Sequence, residues 1–212
     1  MREITFRKWA KEFGGLRTES NTLIQLDGQN KTRYSRRKNQ EGLLLEASRL
    51  AHEQRKVYWV TILEDGVAMY HIVFTSVYIM VYFLDKKGRK VKCYQFNEIE
   101  PGKLMVTFMN VYEYPDDSDD FNVDLLYSYK ADGSFAHVER FITRSGIERS
   151  DKQYDYVAHS KVDISDNFAP YPEFGHYDEL IREDRKLFVD YQSLRCTKKQ
   201  FINGKLVSTE EV

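Results

Sequence analysis

The chain has 212 residues, 42% hydrophobic and 31% charged, a globular composition long enough to bury a core without disulfide or metal staples. A net charge of −1 excludes a global field that would draw it to nucleic acid or an anionic membrane. Cys93 and Cys196 fall in no CxxC or Cys/His pattern, and the first residues lack the uninterrupted apolar run of a signal peptide, so a reducing, cytoplasmic setting is expected.

Near the N-terminus, Thr5 can cap a short helix with Phe6, Trp9, Ala10 and Phe13 on one face, ended by Gly14-Gly15. The apolar run 23–26 then meets a turn signal at Asp27-Gly28. A longer helix is expected from Ser35 or Asn39 to Lys56, with Leu43, Leu44, Ala47, Leu50 and Ala51 forming its apolar face. Arg36, Arg37 and Lys38 would crowd its N-terminus, where the helix dipole disfavours cations unless an anionic group of the same protein lies there.

From residue 57 the period changes to two. Strands are expected at 57–63, 67–74, 77–84, 89–96, 104–114, 123–130, 135–143 and 153–161. Turn-rich connections separate them: Glu64-Asp65-Gly66, Asp85 to Gly88, Pro101-Gly102, Asp132-Gly133 and Ser145-Gly146. The uncharged stretch 67–84 is long enough to raise a membrane span, but its alternation through Val77, Ile79, Val81 and Phe83 reads as two strands joined at Thr75-Ser76. A short acidic helix follows over 176–186, and Asn203-Gly204 marks a terminal hairpin. The expected fold is α+β, a single domain over 1–212: an antiparallel meander of about eight strands, curved or barrel-like, packed on one long helix.

No glycine loop for phosphates, no GxSxG elbow and no HExxH is present, and the five histidines have no metal-ligand spacing. No cofactor and no metal is expected. Asp116, Ser118 and Asp120 alternate like the first ligands of a calcium loop, but Phe121 stands where the glycine should be and Tyr127 where the glutamate should be. His137 with Glu139, or His159 with Asp163, could do acid–base work. Lys31 to Lys38 could grip phosphates while Tyr34 stacks a base, although acidic runs elsewhere would repel the same ligand.

The remaining signal is surface chemistry. Asp116, Asp117, Asp119 and Asp120 lie among Tyr112, Tyr114 and Phe121, and Phe174 and Tyr177 lie among further acids. Aromatic anchors ringed by charge are enriched at protein interfaces, so these nine residues read as a surface for a basic partner protein, of the kind an inhibitor or immunity protein carries. A tyrosine-lined barrel holding a small molecule, with Tyr78, Met80 and Tyr82 as lining, is the first alternative. A hydrolase or lyase built on one of the histidine pairs is the second.

Overall fold

The alternating runs at 58–64 and 67–74 meet across Asp65-Gly66 and pair antiparallel, Tyr58 opposite Phe74 and Val60 opposite Ile72. In the computed structural model, which describes residues 1–11, 15–37, 42–145 and 148–212, the chain divides into two compact units. The first holds Met1–Lys90 with Tyr171–Arg182, the second Val91–Pro170 with Glu183–Val212.

The first unit contains β1 (Arg2–Thr5), β2 (Trp9–Ala10), β3 (Gly15–Leu16), α1 (Glu19–Asn30), α2 (Leu43–Glu53), β4 (Tyr58–Glu64), β5 (Val67–Phe74) and β6 (Tyr78–Leu84). Four strands pair antiparallel in the order β1-β4-β5-β6, and β2 pairs with β3 in a separate two-stranded sheet. Six of the seven β4 residues are buried, which fits a strand covered on both faces. In β6 the buried residues are Ile79, Val81, Phe83 and Leu84, while Met80 and Tyr82 are half-buried and Tyr78 is exposed.

The second unit contains β7 (Lys90–Glu100), β8 (Lys103–Glu113), β9 (Val123–Tyr129), β10 (Phe135–Ser145), β11 (Glu148–Ala158), β12 (Phe168–Pro170), β13 (Cys196–Ile202) and β14 (Lys205–Glu211). Seven follow the order β7-β8-β9-β10-β11-β13-β14, and β12 pairs with the start of β8. All of these pairings are antiparallel. The hairpin at Asn203-Gly204 forms as its residues require, with φ of 50° and 74°, the left-handed pair of a type I′ turn.

Several expectations are corrected. Among the described residues, four strands of the first unit and eight of the second, besides the β2-β3 pair, replace the expected meander of about eight, and in neither unit do the end strands of the order pair with each other, so no barrel closes. The N-terminal segment is not a helix. Residues 2–5 add an edge strand to β4 and Trp9-Ala10 pair with Gly15-Leu16, because strand pairing that buries Trp9 outweighs the intrinsic preference of so short a helix; Phe13 and Gly14 lie outside the described residues. The run 23–26 and Asp27-Gly28 belong to α1, capped by Thr18, whose hydroxyl accepts from the Asn21 amide at 3.2 Å. The long helix is shorter than expected, 43–53, behind Gly42; Lys38 and Asn39 lie outside the described residues. No helix forms over 176–186. Tyr177, Leu180 and Ile181 are buried there in a chain of turns after Gly175, as long-range packing outweighs local periodicity. The turn at Ser145-Gly146 includes one residue outside those described. The 67–84 stretch is the β5–β6 hairpin, and among the described residues no helix is long and apolar enough to cross a membrane.

Candidate functional site

Strand alternation gives the second unit two chemically different faces. The register lines up Tyr112, Asp124, Arg140 and Gln153 in one row across β8 to β11, and Asn110, Leu126, Val138 and Asp155 in the next. A third row on this face runs Phe108, Ser128, Ala136, Val157. Phe108 and Val157 are exposed, and Leu126 and Val138 are half-buried. Asp124 accepts from the Asn110 amide at 3.1 Å and lies 3.6 Å from the Arg140 guanidinium.

At the end of this face β8 runs into the acidic loop, closed where the Asn122 amide donates to Glu113 O at 2.9 Å. Asp116, Asp117, Asp119 and Asp120 are all exposed. The Asp116 carboxylate accepts from the Ser118 amide at 2.7 Å, which turns the loop back on itself. Phe121 meets Tyr112 edge-on at 5.2 Å between centroids and Tyr114 at 6.4 Å. The three rings are half-buried. The loop thus presents four carboxylates in a segment whose two ends carry packed aromatic rings. Among the described residues no group of three or more His, Cys, Asp or Glu side chains is placed to hold a metal ion.

Phe174 and Tyr177, the other two residues of the expected surface, belong to the first unit. Phe174 stacks on Phe6 at 4.6 Å with the Arg49 guanidinium 4.9 Å above its ring, and it remains half-buried. Tyr177 is 1% exposed and packs on Phe74 at 5.7 Å, so in this conformation it is core and offers a partner nothing.

The histidine pairs separate. His137 and Glu139 do come together on the opposite face of the second unit, with Nε2 3.4 Å from Oε1. Tyr191, from a segment distant in sequence, donates its hydroxyl to the same carboxylate oxygen. The imidazole lies between Tyr191 at 4.3 Å and Tyr127 at 4.4 Å, with Tyr156 at 5.9 Å. Hydrogen bonding from His137, against a smaller opposing effect of burial and with help from Tyr191, holds the Glu139 carboxyl below its ordinary range. The Tyr191 phenol is pushed up by burial and by the Glu139 charge. His137 is 1% exposed, which closes it to a substrate, so this arrangement fastens the 183–195 segment onto the sheet. His159 does not meet Asp163. It lies 3.0 Å from Glu211 and 3.0 Å from the Thr197 hydroxyl, while Asp163 accepts from the Ser165 amide at 2.8 Å.

In the first unit the basic stretch takes a form the sequence concealed. Asp27, 8% exposed on α1, accepts from Thr32 Oγ1 at 2.5 Å, the Tyr34 amide at 2.9 Å, the Ser35 amide at 2.7 Å and Ser35 Oγ at 2.6 Å. Burial works against its charge, but these donors outweigh it and the carboxyl lies below its ordinary pKa. Tyr34 is buried with Arg37 4.5 Å over its ring, so it is no platform for a nucleic-acid base. The dipole conflict expected at Arg36 and Arg37 is relieved: they precede α2 in a short turn, and Arg37 pairs with Glu46 at 3.3 Å. Lys31, Arg33 and Arg36 remain exposed.

No family model, curated protein or solved structure matches this chain. Tyr78, Met80 and Tyr82 lie on β6 opposite Ile79, Val81 and Phe83, Tyr78 exposed and the other two half-buried, with Lys90 4.1 Å over the Tyr82 ring. Cys93 and Cys196 are both buried and form no disulfide with each other.

Proposed function

We propose that the protein is a protein-binding module that recognises a basic partner through the acidic loop between β8 and β9 and the sheet face beside it. The observation that carries this reading is the seating of Phe121 against Tyr112 and Tyr114 at the base of a loop with four exposed aspartates. Rings held by one another lose little freedom on docking, and carboxylates around them raise the encounter rate with a cationic surface. Phe108, Leu126 and Val138 extend the aromatic base along the same face, and Asp124 and Arg140 supply charged groups beside them. An apolar centre within charged surroundings is the usual anatomy of an interface. An inhibitor or immunity role, in which the partner is a basic effector, is one form of this activity.

The test uses a Lys/Arg-rich peptide as probe and follows association by stopped flow. Changing Asp116, Asp117, Asp119 and Asp120 together to Asn should slow association roughly tenfold at about 0.01 M salt, where the Debye length is about 30 Å, and hardly at all at about 1 M. A Phe121→Ala variant should instead speed dissociation. An on-rate at low salt that ignores the four substitutions would remove the loop from the reading.

A further inference from the structure

Charge divides with the two units although the chain as a whole is near neutral. The first unit carries 18 Lys and Arg against 13 Asp and Glu, a net of +5; the second carries 14 against 20, a net of −6. Each unit places part of its excess charge on an exposed loop. The second unit has the Asp116–Asp120 loop, and the first has Lys31, Arg33 and Arg36 on the loop that Asp27 holds in shape. Among the described residues these three cations make no ion pair.

We propose that the basic partner of the β8–β9 loop is a second copy of this chain, with Lys31, Arg33 and Arg36 of the neighbouring copy receiving the carboxylates. This rests on the protein-binding reading above and names the partner. Three features favour a copy over another polyanion or polycation. The two loops are opposite in sign and similar in magnitude of charge, three exposed cations against four exposed aspartates. The cationic loop is fixed in advance by four hydrogen bonds to one buried carboxylate, so docking orders little new chain. A nucleic acid would find, with Tyr34 buried, no ring on this loop to stack upon. The contact joins two different surfaces, so association is heterologous: it closes as a ring or continues as a chain of copies.

The experiment is sedimentation velocity of the full chain with two variants. One has the four loop aspartates changed to Asn; the other has Lys31→Gln, Arg33→Gln and Arg36→Gln. Wild type should self-associate at about 0.01 M salt and dissociate at about 1 M, with at least a tenfold rise in the dissociation constant. Each variant alone should be monomeric with an unchanged circular dichroism spectrum and melting curve. Mixed in equal amounts, they should form a dimer that grows no further, since only one complementary pair of loops survives. Wild type that stays monomeric at low salt, variants that associate as wild type does, or a mixture that remains monomeric would each overturn the proposal. The peptide titration separates the two readings. Wild type that binds the peptide through its aspartates yet never self-associates removes the second copy alone, whereas binding neither removes both. Retention of single-stranded DNA by the Lys31–Arg36 loop without self-association would also overturn the proposal and give that loop to a polyanion.

Discussion

Asp27→Asn keeps the shape of the side chain and removes its charge. The carboxylate serves two backbone amides, those of Tyr34 and Ser35, through its two oxygens. The asparagine retains one acceptor oxygen and turns an NH₂ group toward the other donors. The Thr32 and Ser35 hydroxyls can rotate to water, so their loss counts little. One buried amide is left without a partner, which costs about 1–3 kcal/mol, and the surviving bond loses its charge assistance, about another 0.5–1 kcal/mol. A destabilisation of about 2–3 kcal/mol is expected at pH 7. The folded carboxyl titrates below 3.8, so its stabilisation is fully present above that pH and is lost as pH falls toward the lower folded value. The gap between wild type and variant should therefore narrow below about pH 4. Urea unfolding followed by tryptophan fluorescence reports it, because Trp9 and Trp59 both belong to the first unit. A gap under about 0.5 kcal/mol at pH 7, or one unchanged at pH 3, would refute the role given to this carboxylate.

Further outcomes follow from other contacts. In a double-mutant cycle of Glu139→Gln and Tyr191→Phe, the coupling should be about 1–2 kcal/mol, since the phenol donates to a carboxylate shared with His137; additive effects would show that the bond contributes nothing. Gly88 has φ of +72°, and a Cβ there would lie 2.7 Å from the Trp9 ring, so Gly88→Ala should destabilise by about 2–4 kcal/mol and shift Trp9 emission. An unshifted spectrum with full stability would mean the ring moves freely away. Gly204→Val places a β-branched residue at φ of 74° and should loosen the terminal hairpin by about 1–2 kcal/mol, read as faster amide exchange confined to β13 and β14. Exchange unchanged in those strands would count against the turn as their organiser.

The strands were legible in the sequence because alternation and turn residues agree there. The 67–74 run, the hairpin at Asn203-Gly204 and the buried face of α2 lie where the pattern puts them. Elements that rely on distant partners were not legible. Residues 2–5 carry too few residues to announce an edge strand, and only β4 makes them one. Helix α1 shows little apolar face beyond Leu23 and Leu26, and its clearest mark, Thr18 three residues before Asn21, is a weak cap signal. At the histidines, the i, i+2 spacing of His137 and Glu139 could be read as a shared strand face. Tyr191, which completes that cluster, arrives from another part of the chain and carries no local signature. Asp27 was readable only as a turn residue, because its four donors follow it at spacings no helical or strand period predicts.

The division of the chain has a consequence for the order of synthesis. Residues 171–182 separate two stretches of the second unit, and through Tyr177 and Leu180 they complete the core of the first. A growing chain that has released residues 1–90 still exposes Phe74 and Tyr58 to water. It must carry that unfinished surface while the next eighty residues emerge. The second unit then waits for β13 to reach β11. At about 5–20 residues per second, seconds pass with both cores open, so nascent chains stalled in this interval are where chaperone engagement and premature aggregation should concentrate.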